Sequence, residues 1–193
     1  MLVVEEKAAL RARALAHRDG LDPAHREEAS GRIADRILTM TRRFRDGPVS
    51  VFWPIRSEVD TRQLMERLAA AGKQLALPVV CKPRLRFHAW KPGEPLRTTG
   101  FGLSQPLDGA PEVVPATMLV PLAAFDRWCN RIGYGAAYYD STISALSEGT
   151  PPLTIGLGFS IQRVERVPIE EHDRPLDIVV TEDEVFVRGE GRP

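Results

Sequence analysis

TMLVPLAAFDRWCNRIGYGAAYYD, residues 117–140, is the stretch on which the fold turns. Its first nine residues are apolar on both faces, as a central strand covered on each side by helices requires. The remainder is a loop carrying Arg131, Gly133, Gly135, the paired Tyr138 and Tyr139, and Asp140. It runs into YYDSTISALSEG (138–149), which reads as a helix. A strand that passes through a glycine loop into a helix is the repeating unit of an α/β sheet.

The flanking segments extend the same alternation. EEKAALRARALAHRDG (5–20) reads as a helix ending near Gly20, and DPAHREEASGRIADRILTM (22–40) restarts one. Asp22 is its N-cap, Pro23 its first helical residue, and Ile33, Ile37 and Met40 share a face. Both helices are expected on the outside. VSVFW (49–53) is short and β-prone, and DTRQLMERLAAAG (60–72) is a helix capped by Asp60 or Thr61, with Leu64, Met65 and Leu68 inward and Gly72 stopping it. KQLALPVV (73–80) is a second strand. In RLRFHAW (84–90), Leu85, Phe87 and Ala89 alternate with Arg84, Arg86 and His88, as in a half-exposed strand. The Pro/Gly-rich segment 91–115 is too long for a simple connection and is expected to help form a site. LTIGLGF (153–159) and DIVVT (177–181) are later strands, and 181–193 reads as an edge hairpin with a frayed tail. There is no internal repeat. The sum is one domain, 1–193, with a three-layer α/β/α fold around a largely parallel sheet.

Composition bounds the function. The chain has 193 residues, 43% of them hydrophobic, enough for one well-buried core. Its 26 basic and 26 acidic residues cancel, so no global field favours nucleic acid or an anionic membrane, and an anion site must be local. Cys81 and Cys129 make neither a disulfide framework nor a metal-ligand spacing, which points to reduced thiols and a cytoplasmic setting. The amino terminus becomes charged after four residues and supplies no long apolar stretch for export or membrane insertion.

In open α/β sheets, ligands collect beyond the carboxyl ends of the strands, where the 125–140 loop lies. Gly133 and Gly135 allow close backbone approach, amides entering the helix near Tyr138 can face a phosphate, and Arg131 adds fixed charge. Asp140 suits a hydrated magnesium ion on phosphate oxygens. The alternative is that the glycines only turn the chain, the tyrosines pack and Asp140 caps the helix. Phe52 and Trp53 offer an apolar wall for a flat ring, or belong to the core. Cys129 sits beside the loop with no histidine near it in sequence, which does not make a nucleophile.

The chain resembles the 5-formyltetrahydrofolate cyclo-ligase (methenyltetrahydrofolate synthetase) family across nearly its whole length. The resemblance is carried, in order, by KAALR, FWPIRSEVDT, GKQLALPVV, LRFHAW, FGLSQP, LVPLAAFD, RIGYG with YYD, and IGLGF followed by PLDIVVTE. It implies a fold like that of ribose-phosphate isomerase (RpiA), NagB and the coenzyme A transferases. It also implies an ATP- and Mg²⁺-dependent ligase of folate one-carbon metabolism. In that reaction the formyl oxygen of 5-formyltetrahydrofolate is phosphorylated, N10 attacks the activated carbon, and phosphate leaves to give 5,10-methenyltetrahydrofolate.

By resemblance, Lys7 and Arg11, one helical turn apart, bind ATP and with Arg131 stabilise the transferring phosphoryl group. Gly133, Tyr134, Gly135, Ala136, Ala137 and Tyr138 form the ATP loop. Phe52, Trp53, Glu58 and Tyr139 are the substrate positions, and Asp140 and Asp173 are the magnesium carboxylates. The implied partner is 5-formyltetrahydrofolate, with or without a polyglutamate tail, and the implied state is a monomer or weak homodimer. The same residues also read more plainly: Lys7 and Arg11 as a solvated helix face, Glu58 as a loop acid near a helix start.

Departures from the family pattern concentrate in the loop. Ala136 and Ala137 stand where family members carry glycine, Ser141 where they carry arginine or lysine, and Gln105 where glutamate is common. An alanine forced into a left-handed conformation costs about 1–2 kcal/mol. Two functions therefore stand side by side: a working cyclo-ligase whose loop tolerates alanine because its backbone is already helical, and a paralogue that binds folate or nucleotide without efficient turnover.

Overall fold

A computed structural model describes residues 3–171 and 173–190. The last three residues, expected as a frayed tail, and His172 lie outside the described residues. Among the described residues there are four α-helices, α1 Val3–Asp19, α2 Pro23–Thr39, α3 Arg62–Ala70 and α4 Tyr138–Leu146. The strands are β1 Val49–Ser50, β2 Leu75–Cys81, β3 Arg84–Ala89, β4 Leu96–Thr98, β5 Ser104–Pro106, β6 Glu112–Val113, β7 Thr117–Pro121, β8 Ala124–Phe125, β9 Arg131–Ile132, β10 Leu153–Leu157, β11 Ile178–Val180 and β12 Val185–Val187. Eight form one sheet in the order β12-β11-β10-β7-β1-β2-β3-β6. The five central strands, β11 to β2, are parallel, and β12, β3 and β6 are antiparallel additions at the two edges.

Period-two alternation sorts the central strands onto two cores. Leu75, Leu77, Leu119, Ile155, Ile178 and Val180 face Ile33 and Ile37 of α2 and Leu64, Met65 and Leu68 of α3. Ala76, Met118, Val120 and Val179 face the other way, toward Ile143 of α4. These are the three layers expected from sequence. The Asp22 carboxylate accepts the Ala24 N–H at 2.8 Å and caps α2, with Pro23 following it. At α3, Asp60 accepts the Arg62 N–H at 3.0 Å, whereas the Thr61 hydroxyl donates instead to the Phe52 carbonyl at 2.6 Å.

Helix α1 lies on the outside as expected, its inward face carrying Lys7, Ala14 and Arg18 against β8 and the turn Ser160–Gln162. The 91–115 segment holds the β4–β5 hairpin and the edge strand β6. Among the described residues, no helix is long and apolar enough to cross a membrane.

Strands β1 and β7 are parallel neighbours whose continuations part. From β1 the chain passes through α3 to β2 on one side, and from β7 through α4 to β10 on the other. The crevice between them is the topological switch point of the sheet, where open α/β folds hold their ligands.

Candidate active site

Everything that follows β1 and β7 leaves the same edge of the sheet. After β1, Phe52 turns into the core at 4% exposure, while Trp53 turns outward and meets Trp90 edge-on, ring centroids 5.9 Å apart. Of the two aromatics expected as a wall, only Trp53 lines the cavity. That cavity has a volume of about 450 Å³ and is bounded by Trp53, Pro54, Glu58, Arg26, Arg56 and Arg62. Glu58 is buried, and its Oε2 accepts the Ile55 N–H at 2.9 Å. Burial raises its pKa, opposed by the Ile55 and Tyr134 hydrogen bonds and by the charges of Arg18 and Arg56.

After β7, the β8–β9 hairpin leads into the glycine loop. Gly135 has φ +100°, and a Cβ there would sit 3.5 Å from the Arg11 guanidinium carbon. A Cβ at Gly133 would meet Arg131 Nη1 at 3.0 Å. The glycines thus make room for two arginines. Arg11 Nε donates to the Gly133 carbonyl at 2.8 Å, fastening the loop to α1. Neither alanine belongs to α4, which begins at Tyr138. Ala137 sits just before it in the left-handed region at φ 51°, ψ 16°, so an already helical backbone is not how this position tolerates alanine, whereas Ala136 is not left-handed. Tyr138 and Tyr139 are partly buried against the α4-side core, and the Arg131 guanidinium lies over the Tyr139 ring at 5.9 Å.

The remaining ionic groups are paired across the chain. Lys7 Nζ contacts Glu170 Oε2 at 2.7 Å and also Asp173, which in turn accepts the Glu170 N–H at 2.7 Å. Desolvation works to lower the Lys7 pKa, but the two carboxylates outweigh it and the net shift is upward. Arg131 Nη2 lies 3.0 Å from Asp140 Oδ1, and that same oxygen accepts the Arg174 N–H at 3.3 Å. Asp140 thus accepts from the backbone of the residue that follows Asp173, and each of the two carboxylates is paired with a cation expected to bind phosphate. The solvated-face reading of Lys7 does not hold, since only 8% of the residue is exposed. Cys129 is fully buried, its Sγ donates to the Phe186 carbonyl at 3.5 Å, and burial pushes its thiol up to about 12. A thiol so held is no nucleophile.

Sequence reasoning missed Arg18, Ser57 and Glu170. Arg18 was detectable: it follows Lys7 by eleven residues, three helical turns, and so shares its face.

The sequence profile of the 5-formyltetrahydrofolate cyclo-ligase family matches residues 3–182. The chain belongs to this family. It is 32% identical over 177 residues to the 5-formyltetrahydrofolate cyclo-ligase of Escherichia coli K12, an alignment covering 88% of this chain and 96% of that relative. It is 28% identical over 171 residues to the cyclo-ligase of Haemophilus influenzae, covering 84% and 91%. Among solved structures, the 5,10-methenyltetrahydrofolate synthetase of Aquifex aeolicus superposes with a TM-score of 0.79 at 27% identity, over 97% of this chain and 95% of that one. The synthetase of Mycoplasma pneumoniae gives 0.73 at 19% identity, over 91% and 98%, a likeness of fold. The cyclo-ligase fold thus accounts for all three layers and the switch-point crevice.

Proposed function

We propose that this cyclo-ligase family member converts 5-formyltetrahydrofolate and ATP to 5,10-methenyltetrahydrofolate, ADP and phosphate. One observation supports the reading most: the glycine loop joins the two halves of the crevice through consecutive residues. Gly133 is fastened to Arg11 on the phosphate side, and the Tyr134 hydroxyl accepts from Arg18, whose Nε donates to Ser57, the residue before Glu58 in the wall of the Trp53 cavity.

In this reading the pterin lies in the cavity against Trp53, with Glu58 accepting hydrogen bonds from its N–H edge. Lys7, Arg11, Arg131 and the amides entering α4 surround the phosphates. Phosphoryl transfer needs the formyl oxygen held in line and the spreading charge neutralised, and fixed cations do this without a protein nucleophile. The transfer joins the formyl oxygen to the γ-phosphorus and releases ADP. Attack by N10 on the activated carbon, with loss of a proton and departure of phosphate, closes the ring.

Among the described residues no group of three or more acidic, histidine or cysteine side chains is arranged to hold a metal ion by itself. Asp140 and Asp173 nevertheless suit Mg²⁺, which uses one or two carboxylates and takes its other ligands from phosphate and water. Bound there, the ion would screen phosphate charge. Lys7 and Arg131, which now neutralise these carboxylates, would turn to the phosphates.

The left-handed Ala137 favours turnover over binding alone. It keeps the shape that a glycine would take, at a cost of about 1–2 kcal/mol that the surrounding fold bears. The test is direct: protein, 5-formyltetrahydrofolate, ATP and Mg²⁺, with methenyl product and ADP measured together. Equal amounts of the two products support the reading. Tight folate binding with no product at high protein concentration overturns it in favour of a binding paralogue.

A further inference from the structure

The cavity that Trp53 walls is bordered, among the described residues, by the arginines Arg26, Arg56 and Arg62 and the carboxylates Glu27, Glu58 and Asp60, and these do not pair off evenly. Asp60 is taken by Arg62, whose Nε donates to its two oxygens at 2.9 and 3.1 Å. Glu58 is turned to the backbone, accepting the Ile55 N–H, and Glu27 stands exposed. Arg26 and Arg56 are the cations left over: among the described residues neither side chain enters a hydrogen bond or an ion pair.

Arg26, on the second turn of α2, is half-buried, and its Nε is shut away from water with no acceptor. A buried donor without a partner is uncommon in a folded protein and calls for one. A carboxylate suits it best, because two oxygens match the fork of a guanidinium.

Arg56 is held in place by its backbone. Its φ of 51° is left-handed, an uncommon state for a long side chain. The turn is clamped on both sides of it: the Ile55 N–H donates to Glu58 Oε2 at 2.9 Å, the Glu58 N–H donates to the Ile55 carbonyl at 3.1 Å, and Ser57 Oγ accepts from Arg18 Nε at 2.9 Å. Arg56 therefore stays exposed at the cavity. Strain of this kind persists where neighbours over-determine it, and it clusters at ligand clamps.

The cavity, at about 450 Å³, is of the size that takes a whole drug-sized ligand, more than a bicyclic ring fills. It combines an apolar wall at Trp53 and Pro54 with two uncommitted guanidinium groups, which fits a ligand that is flat at one end and anionic at the other. We propose that Arg26 and Arg56 form a carboxylate subsite of this cavity and hold the glutamate end of the folate while its ring lies against Trp53. This rests on reading the cavity as the folate subsite. The glutamate end offers two carboxylates, one for each arginine. Nucleotide phosphates are met by Arg11 and Arg131 on the glycine loop, so ATP affinity is independent of the pair.

The experiment is calorimetric binding of three ligands, 5-formyltetrahydrofolate, its diamide in which both glutamate carboxylates are carboxamides, and ATP, to the wild type and to Arg26→Gln, Arg26→Lys, Arg56→Gln and Glu58→Gln. The wild type is expected to bind the diamide about tenfold or more weakly than the parent compound. Arg26→Gln and Arg56→Gln should each weaken binding of the parent about tenfold, yet bind the diamide within about twofold of the wild type, since the charge they answer is already gone. Arg26→Lys keeps the charge without the fork and falls between. ATP binding should change less than about twofold in all of them.

Equal affinity of the wild type for parent and diamide overturns the proposal without recourse to any variant. So do arginine variants that lose as much affinity for the diamide as for the parent, or that lose ATP instead of folate. If Glu58→Gln weakens parent and diamide alike in those cases, the cavity reading stands and only the carboxylate subsite falls. Absence of folate binding by the wild type removes the cavity reading and the proposal together.

Discussion

Arg131 and Asp140 form an ion pair, Nη2 to Oδ1 at 3.0 Å, with only 3% and 17% of their side chains exposed. The pair joins the end of the hairpin to the first turn of α4. Removing one partner leaves a buried charge uncompensated.

Asp140→Asn is therefore expected to lower stability by about 3 kcal/mol, read as a shift in the denaturant midpoint at unchanged slope. It should also weaken nucleotide binding more in the presence of Mg²⁺ than in its absence. Equal losses under the two conditions would leave Asp140 as a structural partner of Arg131 only.

Ala137→Gly is expected to raise stability by about 1 kcal/mol, because glycine takes a φ of 51° without the steric cost that alanine bears. Ala136→Gly, at a position that is not left-handed, should give no such gain and is the control. A thermal midpoint that falls in Ala137→Gly would contradict the strain argument.

Glu58→Gln separates function from stability. Burial raises the Glu58 pKa, so the folded protein binds this proton more tightly than the unfolded chain. Its carboxylate therefore weakens the fold as pH climbs from the unfolded value of about 4.3 through the folded one. The glutamine variant should match or exceed the wild-type thermal midpoint at pH 7, with that advantage vanishing below about pH 4, while folate binding weakens about tenfold or more. A wild type that gains stability between pH 4 and 7 relative to the variant would reverse the sign.

Thiol titration gives a further check. Cys81 is exposed, whereas Cys129 is buried with its thiol pushed up to about 12. One thiol should react in the native protein at neutral pH and two after denaturation. Activity should survive the native labelling.

The sheet was legible in the sequence because TMLVP is apolar on both faces, Leu153, Ile155 and Leu157 alternate with Thr154 and Gly156, and α2 and α3 carry simple apolar stripes. The glycine loop of the candidate site was legible, since Gly135 takes a positive φ that marks a turn. Helix α1 defeats the same rules. Its buried residues are Lys7, Ala14 and Arg18, and hydrophobic periodicity does not register a face that buries cations. The Lys7–Asp173 and Arg18–Tyr134 contacts span 166 and 116 residues, distances at which a single sequence carries no pairing signal. Phe52 and Trp53 show a finer limit: which of two adjacent aromatics faces the crevice depends on where β1 ends, and β1 is only two residues long.

Helix α1 contributes no side chain to either of the two large apolar clusters that flank the sheet, only Ala14 and Leu10 to a third, smaller one. It nevertheless bears Lys7, Arg11 and Arg18, the contacts that reach into both ends of the crevice. Loss of these cations should accordingly disturb the crevice most, while the packing of the sheet against α2, α3 and α4 stays in place.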